Sequence, residues 1–159
     1  LIATSNLASM YMTQDRLEQA EPMVQDVLER ARRHLGPEHT VTMKATNDLA
    51  GVLRRRGRFE EAEAVLLPLI ETIRRLRGDN HLHTLYVESE LATLRTDQGR
   101  LEDALQVRMS VAQRMIDTLG INSAPARTEI GSVIELCDRL GRKTEAELWG
   151  TKLNEPIAR

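Results

Sequence analysis

The sequence predicts an all-α fold, a helical-repeat solenoid assembled from antiparallel helix hairpins. Three observations carry this. Leu7-Ala8, Leu49-Ala50 and Leu91-Ala92 lie 42 residues apart (49 − 7 and 91 − 49), as do Arg16, Arg58, Arg100 and Arg142, and Ala20, Ala62, Ala104 and Ala146. A fixed period of this length marks stacked supersecondary units. Within a period, apolar residues recur at helical rather than strand spacing. Gly36, Gly78 and Gly120 share one register and Gly57, Gly99 and Gly141 another, each placed where a left-handed residue closes a helix. Units of this kind bury their apolar faces against their neighbours, so residues 1–159 read as a single array.

The first repeat, about 1–38, carries Leu7-Ala8 on its first helix and Ala20 on its second, and Leu1 already sits in helical register. In the second repeat, about 39–80, Ala45, Thr46, Leu49, Ala50, Val52 and Leu53 predict a helix over about 41–56. Gly57 turns the chain. Phe59, Ala62, Val65, Leu66, Leu69, Ile70, Ile73 and Leu76 then predict a longer helix over about 59–77, closed by Gly78. Pro68 inside it removes one backbone bond and predicts a kink. The third repeat, about 81–122, follows the same register. The fourth, about 123–159, is degenerate: Val133-Ile134 replaces Leu-Ala, and its second helix ends near Leu153, before Pro156. Linkers are expected at 36–40, 78–82 and 120–124. The recurrent alanines, one on each helix of the hairpin, let two backbones approach closely, and larger residues there would overpack.

Composition narrows the function. A net charge of −2 gives no basic footprint for nucleic acid. Aromatics are only 3% of residues, so the core is aliphatic. Cys137 is the only cysteine, which rules out an intrachain disulfide and points to a reducing, cytoplasmic compartment. No apolar run approaches the ~18 residues of a membrane span. The chain has no initiator Met or visible signal peptide and reads as a piece of a longer polypeptide or a processed chain.

Leu-Ala in the first helix, followed by Gly57-Arg58-Phe59-Glu60-Glu61-Ala62 and Gly99-Arg100-Leu101-Glu102-Asp103-Ala104 opening the second, resembles the tetratricopeptide repeat. The period exceeds the common form of about 34 residues and is similar to the long variety of kinesin light chains, whose linkers read Leu-Gly-x-x-His-Pro-x-Thr. Here they read Leu35-Gly36-Pro37-Glu38-His39-Thr40-Val41-Thr42 and Arg77-Gly78-Asp79-Asn80-His81-Leu82-His83-Thr84. Ser5-Asn6-Leu7-Ala8 and Asn47-Asp48-Leu49-Ala50 resemble that family's Asn-Asn-Leu-Ala. The proline after His is replaced by Thr40, Leu82 and Ala124, and the third linker, Gly120 to Pro125, has lost its His.

The resemblance implies a superhelix whose concave groove is lined by first-helix residues off the packing stripe, and a job of holding a partner peptide or helix. By register, repeat one gives Ser5, Asn6, Ser9, Met12 and Thr13, and repeat two gives Lys44, Asn47, Asp48, Arg54 and Arg55. Repeat three gives Tyr86, Ser89, Glu90, Thr93, Thr96 and Asp97, and repeat four gives Thr128, Ser132, Glu135, Asp138 and Arg139. The amides of Asn6 and Asn47 offer both a donor and an acceptor to a peptide backbone. Repeat two is cationic and repeats three and four acidic, so an extended ligand of opposite polarity would fit. The plain alternative is that these are solvated helix faces.

Other features read as structural. The run Arg54-Arg55-Arg56 with Arg58 has no aromatic platform for bases beside it and reads as a solvated helix end that also suits the helix dipole. His39 and His81 are one linker position repeated, expected at helix starts, and with His83 and His34 form no metal-ligand spacing. Cys137 shares the register of Tyr11 and Leu53 and reads as a buried thiol, and Trp149 shares that of Met23, Val65 and Val107, on the core side. No phosphate-cradling glycine loop, dinucleotide fingerprint or zinc-protease motif occurs. The reading is a non-catalytic protein-interaction module with no cofactor, no metal, no nucleic acid and no membrane. The alternative is an architectural module that spaces domains or self-associates through the ends of the array.

Overall fold

The computed structural model describes residues 1–153; residues 154–159, including Pro156 and the end of the expected fourth repeat, lie outside the described residues. Among the described residues, eight helices follow one another: α1 (Ile2–Thr13), α2 (Leu17–Leu35), α3 (Thr40–Arg55), α4 (Phe59–Arg77), α5 (Leu82–Asp97), α6 (Leu101–Leu119), α7 (Ala124–Arg139) and α8 (Lys143–Leu153). Those residues include no strand. The all-α helical-repeat class is therefore the one observed, and the expected linkers fall between α2 and α3, α4 and α5, and α6 and α7. Helix α4 continues through Pro68, and α2 through Pro22. The chain forms two compact units, Leu1–Leu76 and Arg77–Arg159.

The tight turn inside each hairpin is a repeated hydrogen-bonded motif. The amide of Arg16 donates to the Tyr11 carbonyl at 2.9 Å, Arg58 to Leu53 at 2.9 Å, Arg100 to Arg95 at 2.8 Å and Arg142 to Cys137 at 2.8 Å. These are bonds from the third residue past the helix to its last turn, and they need a left-handed residue just before the donor. Gly57, Gly99 and Gly141 supply it with φ of 73°, 77° and 73°. In the first hairpin the position is Asp15, with φ of 59°.

The linkers between hairpins repeat as well. His39 and His81 cap α3 and α5: each Nδ1 accepts from the backbone two residues on, Val41 N at 3.2 Å and His83 N at 3.1 Å. The helix-start role expected for these histidines is thus the one they have. Thr42 Oγ1 donates to the Gly36 carbonyl at 2.7 Å, and Thr84 Oγ1 to that of Gly78 at 2.8 Å. The third linker has Ser123 in place of His and Ala126 in place of Thr. There the Ser123 hydroxyl donates to the Gly120 carbonyl at 2.8 Å, so one residue takes over the bond that Thr makes elsewhere.

In the first unit, Ala8, Ala20, Val24 and Val52 form one core cluster and Val27, Leu28 and Ala45 another. In the second, Ile130, Val133, Leu136, Cys137 and Trp149 pack with Ala104, Leu105 and Ala112, while Leu85, Val111, Met115 and Ala126 form a neighbouring cluster. Ala62 and Ala104 are fully buried, as their register required. Trp149 is core, with Lys152 Nζ lying 4.1 Å from the ring centroid. Burial raises the Cys137 thiol above its ordinary value, which leaves it inert.

Interior charges were not expected. Glu21 on α2 is buried and binds Arg56 at 2.8 Å and Arg58 at 2.6 Å. Glu88 on α5 is buried and pairs with Arg114 of α6, which also donates to the Asp79 carbonyl at 3.0 Å. Glu129 on α7 receives both bonds of a forked contact from Arg108 Nη1, at 2.8 and 3.0 Å. Arg108 shares its register with Val24 and Leu66, and Glu129 with Ala45 and Val87. All four counterparts are buried apolar residues, so an ion pair occupies registers that hold aliphatic side chains elsewhere in the array.

Candidate functional site

The arginine run at the end of α3 is exposed at Arg55 and Arg56, as a solvated helix end would be, but its guanidinium groups are engaged within the protein. Arg55 Nη1 donates to the Met12 carbonyl at 2.7 Å and Nη2 to Asp15 Oδ1 at 2.6 Å. Arg56 and Arg58 hold Glu21, and Arg58 also takes Glu61 at 2.6 Å. That bond holds the Glu61 carboxyl below its ordinary value. The run therefore ties α3 and the start of α4 to the hairpin before it. Acids at positions 15, 21 and 61 engage it, a pairing visible only once the helices are stacked.

The other residues expected on the first-helix faces of the first unit stand as follows. Asn6 is exposed and Ser9 half-buried. Lys44 is exposed and donates to Asp48 Oδ2 at 2.5 Å, one helical turn on. Asn47 and Arg54 are half-buried, and Asn47 Oδ1 is buried with no hydrogen-bond partner. An unpaired buried carbonyl of this kind calls for a ligand or water. Ser5, Asn6 and Lys44 border an open cavity of about 850 Å³ whose apolar wall includes Ile2, Leu35 and Val41. Its volume falls in the range of ligand-holding concavities.

In the second unit, Tyr86 is 48% exposed. Glu90 is half-buried and Asp97 exposed. Ser89, expected on the same face, is buried: its hydroxyl donates to Glu129 Oε1 at 2.8 Å, because the carboxylate at the Ala45 register reaches in from α7. Five of the expected face residues, Thr93, Thr96, Ser132, Glu135 and Arg139, meet around one cavity of about 180 Å³, with Arg108 of α6 beside them. Arg108 Nε is buried and has no hydrogen-bond partner. Sequence reasoning missed Arg108 because the repeat register assigns it to the core. The signal lay in the break of pattern, a cation where Val24 and Leu66 stand.

Among the described residues no group of three or more His, Cys, Asp or Glu is placed to hold a metal ion, and no helix is long and apolar enough to cross a membrane. A family model described as Tetratricopeptide repeat matches residues 1–67 and, overlapping, 41–107. The chain belongs to the tetratricopeptide repeat family. Among solved structures it is similar to a Podosopora anserina protein described as a kinesin light chain with nearly identical TPR-like repeats: TM-score 0.86, 18% identity, covering 96% of this chain and 72% of that one. A glutamine-to-methionine variant of that protein gives a TM-score of 0.85 at the same 18% identity and the same coverage. BtubC (BKLC) from P. vanneervenii gives 0.80 at 18% identity, covering 98% of this chain and 65% of that one. At such identities these likenesses show the fold. No curated protein sequence matches the chain. Tetratricopeptide repeats are in general protein-interaction modules without catalytic activity.

Proposed function

We propose that this tetratricopeptide repeat chain holds a partner polypeptide, an extended peptide or a helix, on the first-helix faces of its hairpins, in the cytoplasm and without chemistry. The proposal takes the repeats to divide at about 1–38, 39–80, 81–122 and 123–159. One observation carries it: in each unit, polar residues off the packing stripe converge on a cavity, Ser5, Asn6 and Lys44 in the first and Thr93, Thr96, Ser132, Glu135 and Arg139 in the second. Solvated faces need no such convergence.

The test is selection of binders from a random-peptide library against the whole chain, followed by footprinting of the bound state by NMR. Binders should perturb Asn6, Lys44 and Asn47 or the residues of the second cavity. Lys44→Glu should weaken an acidic first-unit binder about tenfold or more, the worth of a hydrogen bond to a charged group. Arg55 is unsuited to this test, since its donors already hold Met12 and Asp15. Footprints confined to the second helices of the hairpins would overturn the proposal.

Self-association through the ends of the array is the second reading, and exposed apolar residues on α1 bear on it. Leu7 and Met10 are 37% and 46% exposed, whereas Leu91 and Val133, and Leu94 and Leu136, at the same two registers are buried. A mass that rises with concentration in sedimentation equilibrium, and is held at monomer by Met10→Lys, would favour this reading over the first.

A further inference from the structure

The 180 Å³ cavity on α5, α6 and α7 selects a guest by the hydrogen bonds it can still accept. Each of its hydroxyl protons already has a helix carbonyl. Thr93 Oγ1 donates to that of Ser89 at 3.0 Å, Thr96 Oγ1 to that of Ala92 at 2.9 Å and Ser132 Oγ to that of Thr128 at 3.2 Å. What Thr96 and Ser132 have left for a guest are lone pairs. Arg108 offers nothing: its Nη1 is spent on Glu129, its Nη2 on Thr93, and its Nε is buried. Its charge is met by Glu129 at 2.8 Å. The remaining charged groups of the lining are Glu135 and Arg139, one helical turn apart on α7 and both exposed.

An ammonium group entering here has three N–H bonds and finds three acceptor groups, Thr96, Ser132 and Glu135. A carboxylate finds one donor, Arg139, and meets Glu135 and two oxygens whose protons are committed elsewhere. Arg139 opposes a cation, but its long exposed side chain is free to turn its charge to water, whereas the hydroxyls are tied to their helices. A guanidinium, planar and suited to paired oxygens, matches three separate acceptors less well. The volume, about six waters at ~30 Å³ each, takes an ammonium group with the last methylenes of its stem, and Leu136 gives that stem an apolar wall. We propose that this cavity is a side-chain pocket for a lysine of the bound partner. This inference rests on the first-helix faces being the partner surface, and it names the residue type the second unit selects.

The experiment titrates the whole chain with four probes, the Nα-acetyl methylamides of lysine, Nε-acetyl-lysine, arginine and glutamate. The readout is the backbone amide resonances of Thr96 and Ser132 in a ¹⁵N correlation spectrum. The lysine probe should move them saturably, and the other three should act about tenfold more weakly or not at all, the worth of a charge-assisted hydrogen bond. Glu135→Gln should weaken the lysine probe about fivefold, as for an exposed ion pair, whereas Arg139→Gln should leave it unchanged or strengthen it. Both positions are exposed, so neither variant threatens the fold. Unmoved amides, an equal response to any of the other three probes, no effect of Glu135→Gln, or weakening by Arg139→Gln would overturn the lysine assignment. Each of these would leave the broader surface reading to the first-unit footprint at Lys44 and Asn47. Selected peptides that footprint neither unit's first-helix face would overturn that reading and the lysine pocket with it.

Discussion

Asp15 shows how much a single residue can conceal. It occupies the left-handed position that glycine holds in the other three hairpin turns, a conformation that short polar side chains tolerate better than other L-residues. Its carboxylate also receives Arg55, which in turn holds the Met12 carbonyl. Asp15→Gly keeps the turn and loses only an exposed ion pair, whereas Asp15→Ala loses the pair and strains the backbone. The alanine variant should therefore be about 1 kcal/mol less stable than the glycine variant in denaturant titration. The glycines at 57, 99 and 141 were legible because glycine at a fixed register has few other meanings. Asp15 was not, since an aspartate between helices reads as an ordinary loop residue. Its partnership with Arg55 spans 40 positions of sequence. The same distance hid the commitments of Arg56 and Arg58 to Glu21.

At the scale of the helix, the stripes and their alanines were read correctly because small residues at fixed positions report close backbone approach. Ala62 on α4 is fully buried. Ala62→Leu should lower stability by about 1–3 kcal/mol through overpacking, against ~0.5 kcal/mol or less for Glu60→Leu on the exposed face. Glu60 is the better control, because neighbouring Glu61 holds Arg58. Equal melting shifts would contradict the register. The Arg108–Glu129 pair between α6 and α7 marks where periodic reasoning stops, since it places charge at positions the repeat assigns to aliphatic packing. Arg108→Leu alone strands a carboxylate whose side chain is only 8% exposed and should cost about 3–5 kcal/mol. Arg108→Leu with Glu129→Val restores the pattern of the other repeats and should recover most or all of that loss. A double variant no better than the single one would show that the pair is not a unit.

For the whole molecule, the family and the helical class were written in the period, while the chemistry of its surfaces was not, because a register says which way a residue faces and nothing of what neighbouring helices bring to it. Protonation offers a global readout. Burial, then the Arg77 guanidinium and the neighbouring His81, depress His83 below its ordinary value of 6.5. The folded chain then binds fewer protons than the unfolded one in the window below that value, so the His83 contribution lowers stability as pH falls through about 6.5. Melting temperatures at about pH 7.5 and pH 5.5 should differ more for the wild type than for His83→Gln. An identical difference would remove His83 as a source. The buried pair on α6 and α7 also bears on descent. An aliphatic residue at either Arg108 or Glu129 alone leaves a lone charge inside. The two positions therefore constrain each other's substitutions, and neither can become aliphatic at full stability unless the other changes with it.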